Sequence, residues 1–346
     1  LPRALDCAGD WLIPGLVEVH TDNFERHLLP RPRVRWAELP AWLAHDAEIA
    51  AAGITTVLDA MGIGDTTEDS LRSSDMTRIL QTLEEAAARD LLRADHWLHA
   101  RCEVPAPNAL ELFQPFAEHP RLALLSLMDH TPGQRQWEDI AHARVYYVGK
   151  KGWTEERFQQ ELALAGEYQA RYAVPQRQYF VEYARQRQLP LASHDDTTVG
   201  HVLEASAEGV SISEFPTTRL AAQAAREHGM VTVMGAPNVV RGGSHSGNVA
   251  AASLASLGLL DILSSDYVPG SLLTAVLRLA DLEVMPLPAA LATVTVHPAR
   301  AIGLQDRGRL ESGLRADLVQ VRVVKAPDGQ RQAVVRAVWR EGRRVL

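Results

Sequence analysis

Eight short apolar runs, rich in β-branched residues, alternate along this chain with helix-forming stretches. They are 12–20 (LIPGLVEVH), 54–60 (ITTVLDA), 96–104 (HWLHARCEV), 121–129 (RLALLSLMD), 189–194 (LPLASH), 209–215 (GVSISEF), 229–236 (GMVTVMGA) and 259–266 (LLDILSSD). Between most of them lie helix-like segments, 40–52, 75–93, 154–187, 218–228, 246–257 and 271–280. Several space apolar residues three and four apart among Ala, Glu, Gln and Arg, as in MTRILQTLEEAAARDLL. Strand–helix alternation repeated eight times predicts an α/β fold, a (β/α)8 barrel of parallel strands with outer helices. A doubly wound open sheet is the rival, weakened because no GxGxxG turn follows the first run. Residues 306–346 read instead as short strands around a PDG turn. They predict a small β-sandwich subdomain formed by the chain termini, with 1–10 as its N-terminal part and 11–305 as the barrel. The chain opens on Leu and its first strand follows closely, so further partner strands are expected from residues that precede it.

Polar residues fall at the ends of these runs. His20 and Asp22, Asp59, Glu103, Asp129 and His130, His194 to Asp196, Glu214, Asn238 and Asp266 each close an apolar stretch. In a barrel the C-terminal strand ends converge on one face, where the active site is built. Asp and Asn also favour turns, which accounts for any one of them but poorly for all eight ends. Glu18, His20 and Asp22 share strand parity, so an extended segment aims all three into one space. A carboxylate–imidazole–carboxylate set is a good half-site for a divalent metal, the plainer alternative being the polar face of a half-exposed strand.

The net charge of −8 argues against general nucleic-acid or anionic-membrane binding. An anionic small substrate remains compatible if basic groups gather locally. Arg26, Arg31, Arg33 and Arg35 follow the first strand in NFERHLLPRPRVRW, as substrate contacts or as a solvated, proline-stiffened loop. Arg101 shares parity with His99 and Glu103, whereas His96 faces the other way. Arg241, Ser244, His245 and Asn248 lie in VVRGGSHSGN, whose backbone N–H groups suit phosphate oxygens. Cys7 and Cys102 give no disulfide framework and suit a reducing cytoplasm, and no run is long enough for a membrane span. His201, His228 and His297 suit helix ends or structural positions.

PGLVEVHTDN resembles the first-strand signature of the amidohydrolase superfamily, with Glu18 in place of its Asp and Asp22 where a second His is usual. SHDD at 193–196, LLDILSSDYVPG at 259–270 and GRLESGLRADLV at 308–319 resemble its fifth strand, eighth strand and closing segment. EFPTT occupies the place of the sixth-strand His, which puts Glu214 there. Almost the whole chain is similar to the phosphonate-metabolism diphosphatase family of the carbon–phosphorus lyase pathway. HARCEVP, SLMDHTPGQRQW, LASHDD, MGAPNVVRGGSHSGNVAAS and ILSSDY carry that likeness. It implies metal-dependent hydrolysis of α-D-ribose 1-methylphosphonate 5-triphosphate to the 5-phosphate and pyrophosphate. It further implies one or two divalent ions (Zn, Mn or Mg), with His20 and Asp22 on one and His194 on a second. Asp266 would be metal contact and general base, Glu103 ahead of Lys150 the bridging ligand, and Glu18 and Glu214 ligands or groups that orient them. Asn23, Arg26, Arg101, His130, Arg241, Ser244, His245 and Asn248 are the expected substrate contacts. A homodimer is the default for a symmetric soluble enzyme. Another amidohydrolase reaction, such as deacetylation or cyclic-amide hydrolysis, is the alternative.

Overall fold

The computed structural model of the protein describes residues 4, 6–31, 34–64, 76–150, 152–244 and 247–346, apart from the side chains of His142 and Lys150. Its described strands are β1 Trp11–Pro14, β2 Leu16–Thr21, β3 Ile54–Ile63, β4 Asp95–Glu103, β5 Leu122–Met128 and β6 Leu191–His194. They continue as β7 Ile212–Glu214, β8 Val231–Gly235, β9 Ile262–Ser264, β10 Leu318–Lys325, β11 Arg331–Arg340 and β12 Arg343–Arg344. β2 to β9 form one eight-stranded sheet in chain order. The pairings β2–β3 and β4 through β8 are parallel, as strands joined through long crossovers must be. The last strand returns to the first. Asp266 N–H donates to the His20 carbonyl at 3.1 Å, Ser264 Oγ donates to the same oxygen at 2.5 Å, and Thr21 and Asp266 form a parallel bridge. This is the (β/α)8 barrel that the alternation predicts. β1, β10, β11 and β12 form a separate antiparallel sheet that unites the two ends of the chain.

The run 12–20 is two strands, not one. A Cβ at Gly15 would lie 2.1 Å from Thr55 Oγ1, so only glycine lets the chain pass there. Before it β1 pairs with β10; after it β2 enters the barrel. The stretch 154–187 is likewise divided, into helices Glu155–Tyr168 and Val174–Arg187 around a π-turn at Gln169–Ala173. Pro175 lacks the N–H that would continue the i→i−4 ladder, which accounts for the interruption.

The chain groups into two compact units. The first comprises Leu1–Asp59, Gln81–Trp97 and Met234–Leu346; the second comprises Ala60–Leu80 and Leu98–Val233. In the first, helices α1 (Asn23–Leu28) and α2 (Glu38–Ala51) meet through Phe24 stacked on the fully buried Trp42, ring centroids 3.9 Å apart. Its core continues through Ile49, Ile54, Leu58, Leu272 and Val319. In the second, Phe113 packs edge-on against Phe180 at 5.1 Å, and Leu98, Leu124 and Val202 are fully buried. Thr154, Thr198 and Thr218 start three of its helices, each accepting a backbone N–H three residues on at 3.1–3.2 Å. No helix among the described residues is long and apolar enough to cross a membrane.

Candidate active site

In the first unit, β2 is buried along its whole length. Glu18 accepts the N–H of His20 at 2.7 Å and that of Ser265 at 2.6 Å. Burial pushes its pKa up in spite of these bonds. It thereby ties the backbone of His20 to the segment after β9 that carries Asp266. Asp22 precedes α1 but makes no side-chain bond to that helix's N–H groups. Asp266 has φ 55°, in the left-handed region, and its carbonyl accepts from Thr21 Oγ1 at 2.7 Å.

Two more non-glycine residues just past barrel strands share that backbone region: Asp195 after β6 (φ 57°) and Phe215 after β7 (φ 52°). Each kink aims an N–H sideways, Asp195 to the Glu214 carbonyl and Phe215 to the Val233 carbonyl, both at 2.9 Å. Such strain costs about 1 kcal/mol or more per residue and tends to persist at functional sites.

The second unit gathers a larger set of groups at its strand ends. The Glu103 carboxylate accepts the His130 N–H at 2.8 Å and pairs with His130 Nδ1. Burial opposes charge on His130, but Glu103 outweighs it and the imidazole pKa lies above its usual value. Asp129 is raised by burial, with Glu103 adding to the effect. Glu214 is fully buried. It accepts from Ser126 Oγ at 2.7 Å and meets His194 Nδ1 at 3.2 Å. That bond leaves His194 Nε2 as the electron-pair donor of the ring, 3.6 Å from Asp195. His99 bonds Ser126 and belongs to the same network. Arg135, from the GQRQ segment, pairs with the buried Asp196 and with Ser193 at 3.1 Å.

The donor set fits a divalent metal. His130, His194 and Asp195 each offer a ligand atom, all within 4.8 Å of one another. Two imidazoles and a carboxylate form a mixed N/O set that several divalent ions accept.

Arg101 stands two residues before Glu103 on β4. It is only 9% exposed, and its Nε has no hydrogen-bond partner among the described residues. The other basic groups are placed differently. Arg26 is exposed and paired with Glu48, Arg35 bonds Glu38 at 3.0 Å, and Arg241 is exposed in the last turn of the helix Ala236–Arg241. Ser244 and Asn248 are half-buried in the glycine loop. His245, Arg33 and the Lys150 side chain lie outside the described residues.

A further cluster escaped the sequence reading. His45 and Asp46 on α2, Asp59 on β3 and His96 on β4 form a buried hydrogen-bonded chain in the first unit. Asp59 is legible as a strand residue, but His45 sits inside a helix. The available signal is spacing: Trp42, His45 and Ile49 lie on one α2 face, which is the buried one.

A model of the amidohydrolase family matches residues 34–346. The chain is 48% identical over 352 aligned positions to the alpha-D-ribose 1-methylphosphonate 5-triphosphate diphosphatase of Escherichia coli strain K12, covering 100% of this chain and 91% of that relative. An imidazolonepropionase of Bradyrhizobium diazoefficiens is 28% identical over 91% of this chain and 80% of its own length. Among solved structures, molinate hydrolase matches with TM-score 0.60 at 14% identity, over 99% of this chain and 85% of that one. N-isopropylammelide isopropylaminohydrolase from Burkholderia multivorans matches with TM-score 0.58 at 19% identity, over 98% and 87%. At those identities the structural matches speak for the fold alone. The family match and the full-length relative together place this chain in the metal-dependent amidohydrolase family, as a hydrolase of the branch that includes the phosphonate-metabolism diphosphatase.

Proposed function

We propose that this enzyme hydrolyses α-D-ribose 1-methylphosphonate 5-triphosphate to the 5-phosphate and pyrophosphate. The observation that carries the reading is Arg101. Burying a guanidinium costs several kcal/mol unless an anion compensates it, yet among the described residues Arg101 forms no ion pair and its Nε has no hydrogen-bond partner. A phosphate oxygen pair is a good match for that planar fork. The reaction named for the 48% identical relative supports the same substrate.

The metal ligands in this reading are His20, Asp22, His194 and Asp266, with Glu103 ahead of Lys150 as bridging group and Glu18 and Glu214 as ligands or orienting groups. One or two ions of Zn, Mn or Mg suit that set. A bound divalent ion would lower the pKa of water and offset charge on phosphoryl oxygens. Asp266, held by backbone bonds to His20 and Thr21, takes the proton of the attacking water. Arg101 holds the triphosphate; Asn23, Arg26, His130, Arg241, Ser244, His245 and Asn248 are further contacts.

The second reading, an acyl or cyclic-amide substrate, is favoured by the imidazolonepropionase likeness. Arg101→Ala separates the two. On the triphosphate, kcat/KM should fall about 100-fold, mostly through KM. A neutral cyclic amide turned over equally well by both proteins, with the triphosphate untouched, would establish the second reading instead.

A further inference from the structure

Asn23 is 1% exposed, and its side-chain oxygen has no hydrogen-bond partner among the described residues. A buried acceptor left unsatisfied is destabilising. The surroundings nonetheless enforce it. Asn23 Nδ2 lies 3.0 Å from His45 Nδ1 and 3.1 Å from Glu48 Oε2. His45 Nε2 donates to Asp59 at 2.7 Å, so Nδ1 of the neutral ring can only accept. Burial keeps His45 neutral against the pull of Asp59. Burial works against the Glu48 carboxylate too, but Arg26, Asn23 and His27 outweigh it and Glu48 stays ionised. Turning the amide over would aim its oxygen at two acceptors.

Behind His45 the chain of bonds continues. The second Asp59 oxygen accepts from His96 Nδ1 at 2.8 Å, and His96 Nε2 lies 3.3 Å from Asp46. Asp46 is held in turn by the N–H groups of Arg93 and Ala94 at 2.7 and 2.9 Å. His45, Asp46, Asp59 and His96 are at most 1% exposed. Two histidines share one carboxylate, and only His96 has acceptors at both nitrogens. His96 therefore carries the charge, and the neutral ring faces Asn23.

We infer that the buried chain Asp46–His96–Asp59–His45 positions Asn23, fixing its side-chain oxygen as an acceptor for an O–H donor in the occupied site. The donor is a sugar hydroxyl of the bound ribosyl substrate, which rests on the function proposed above; bound water is the other source of the same chemistry.

Nitrogen-15 histidine NMR tests the relay without substrate. At pH 7 His45 should show a protonated Nε2 and a bare Nδ1, and His96 two protonated nitrogens. A His45 proton on Nδ1 overturns the inference, as does a stoichiometric metal ion held between His45, Asp59 and His96. Kinetics test its consequence. Asn23→Ala and His45→Leu should each raise KM about tenfold with kcat changed less, and the double variant no further. His45→Gln, which restores an acceptor and a donor, should recover most of the loss. Additive losses, or an unchanged KM in folded His45→Leu, contradict the relay. Against a deoxyribosyl analogue Asn23→Ala should cost nothing; an equal loss assigns the donor to water and overturns the sugar contact. A wild-type enzyme inert towards the triphosphate refutes the substrate, and the histidine spectra then decide the relay alone.

Discussion

At φ 55° Asp266 sits where an L-residue other than Asn or Asp pays about 1–2 kcal/mol. Its N–H bonds the His20 carbonyl and its carbonyl accepts from the Thr21 hydroxyl, so bonds to its backbone hold the turn. Asp266→Asn should keep the fold and lose about 1,000-fold or more in kcat. Asp266→Ala should lose the same activity and in addition about 1 kcal/mol of stability, read by urea unfolding. Equal stability of the two variants would mean that the turn does not demand this residue type. At this scale the sequence was partly legible. The side chains that end apolar runs, His20, Glu103, His194, Glu214 and Asp266, announce themselves by position. The bonds of Glu18 to two backbone amides do not, because they depend on how β2 meets the segment after β9.

Among the elements, α2 is the one whose role was least legible. Its Ala-rich pattern marks a helix, and its Trp42–His45–Ile49 face marks burial, but a histidine on such a face is ordinarily just packed. The meaning of His45 emerges only when β3 and β4 bring Asp59 and His96 to it. That network makes a pH prediction. Burial lowers the proton affinity of His96, but Asp59 and Asp46 outweigh it and raise the pKa from 6.5 to about 9. The folded state thus binds the proton more tightly than the unfolded chain. The stabilisation is fully present below pH 6.5 and is lost as pH rises through about 9, a total on the order of 3 kcal/mol. The denaturant midpoint should fall between pH 6.5 and 9.5, and His96→Gln should remove that slope. A wild-type midpoint flat across the window would show that His96 is neutral when folded.

For the whole molecule, strand–helix alternation was enough to specify the barrel, since eight parallel strands in chain order have few other ways to bury both faces. The terminal sheet was legible from the change of period after residue 306. The division of the first run at Gly15 was not. It is set by the approach of Thr55, a contact between segments forty residues apart in the chain; the Pro14–Gly15 pair marks a local break but not where each half goes. The substrate lies furthest from the sequence pattern, because the same strand ends serve many amidohydrolase reactions. Phosphorus NMR of the purified, metal-replete protein with α-D-ribose 1-methylphosphonate 5-triphosphate reads the proposed reaction itself. Pyrophosphate and the ribosyl 5-phosphate should appear in equal amounts, abolished by chelation and restored by added divalent metal. Orthophosphate as the first product, or no turnover by a metal-loaded protein, would contradict it.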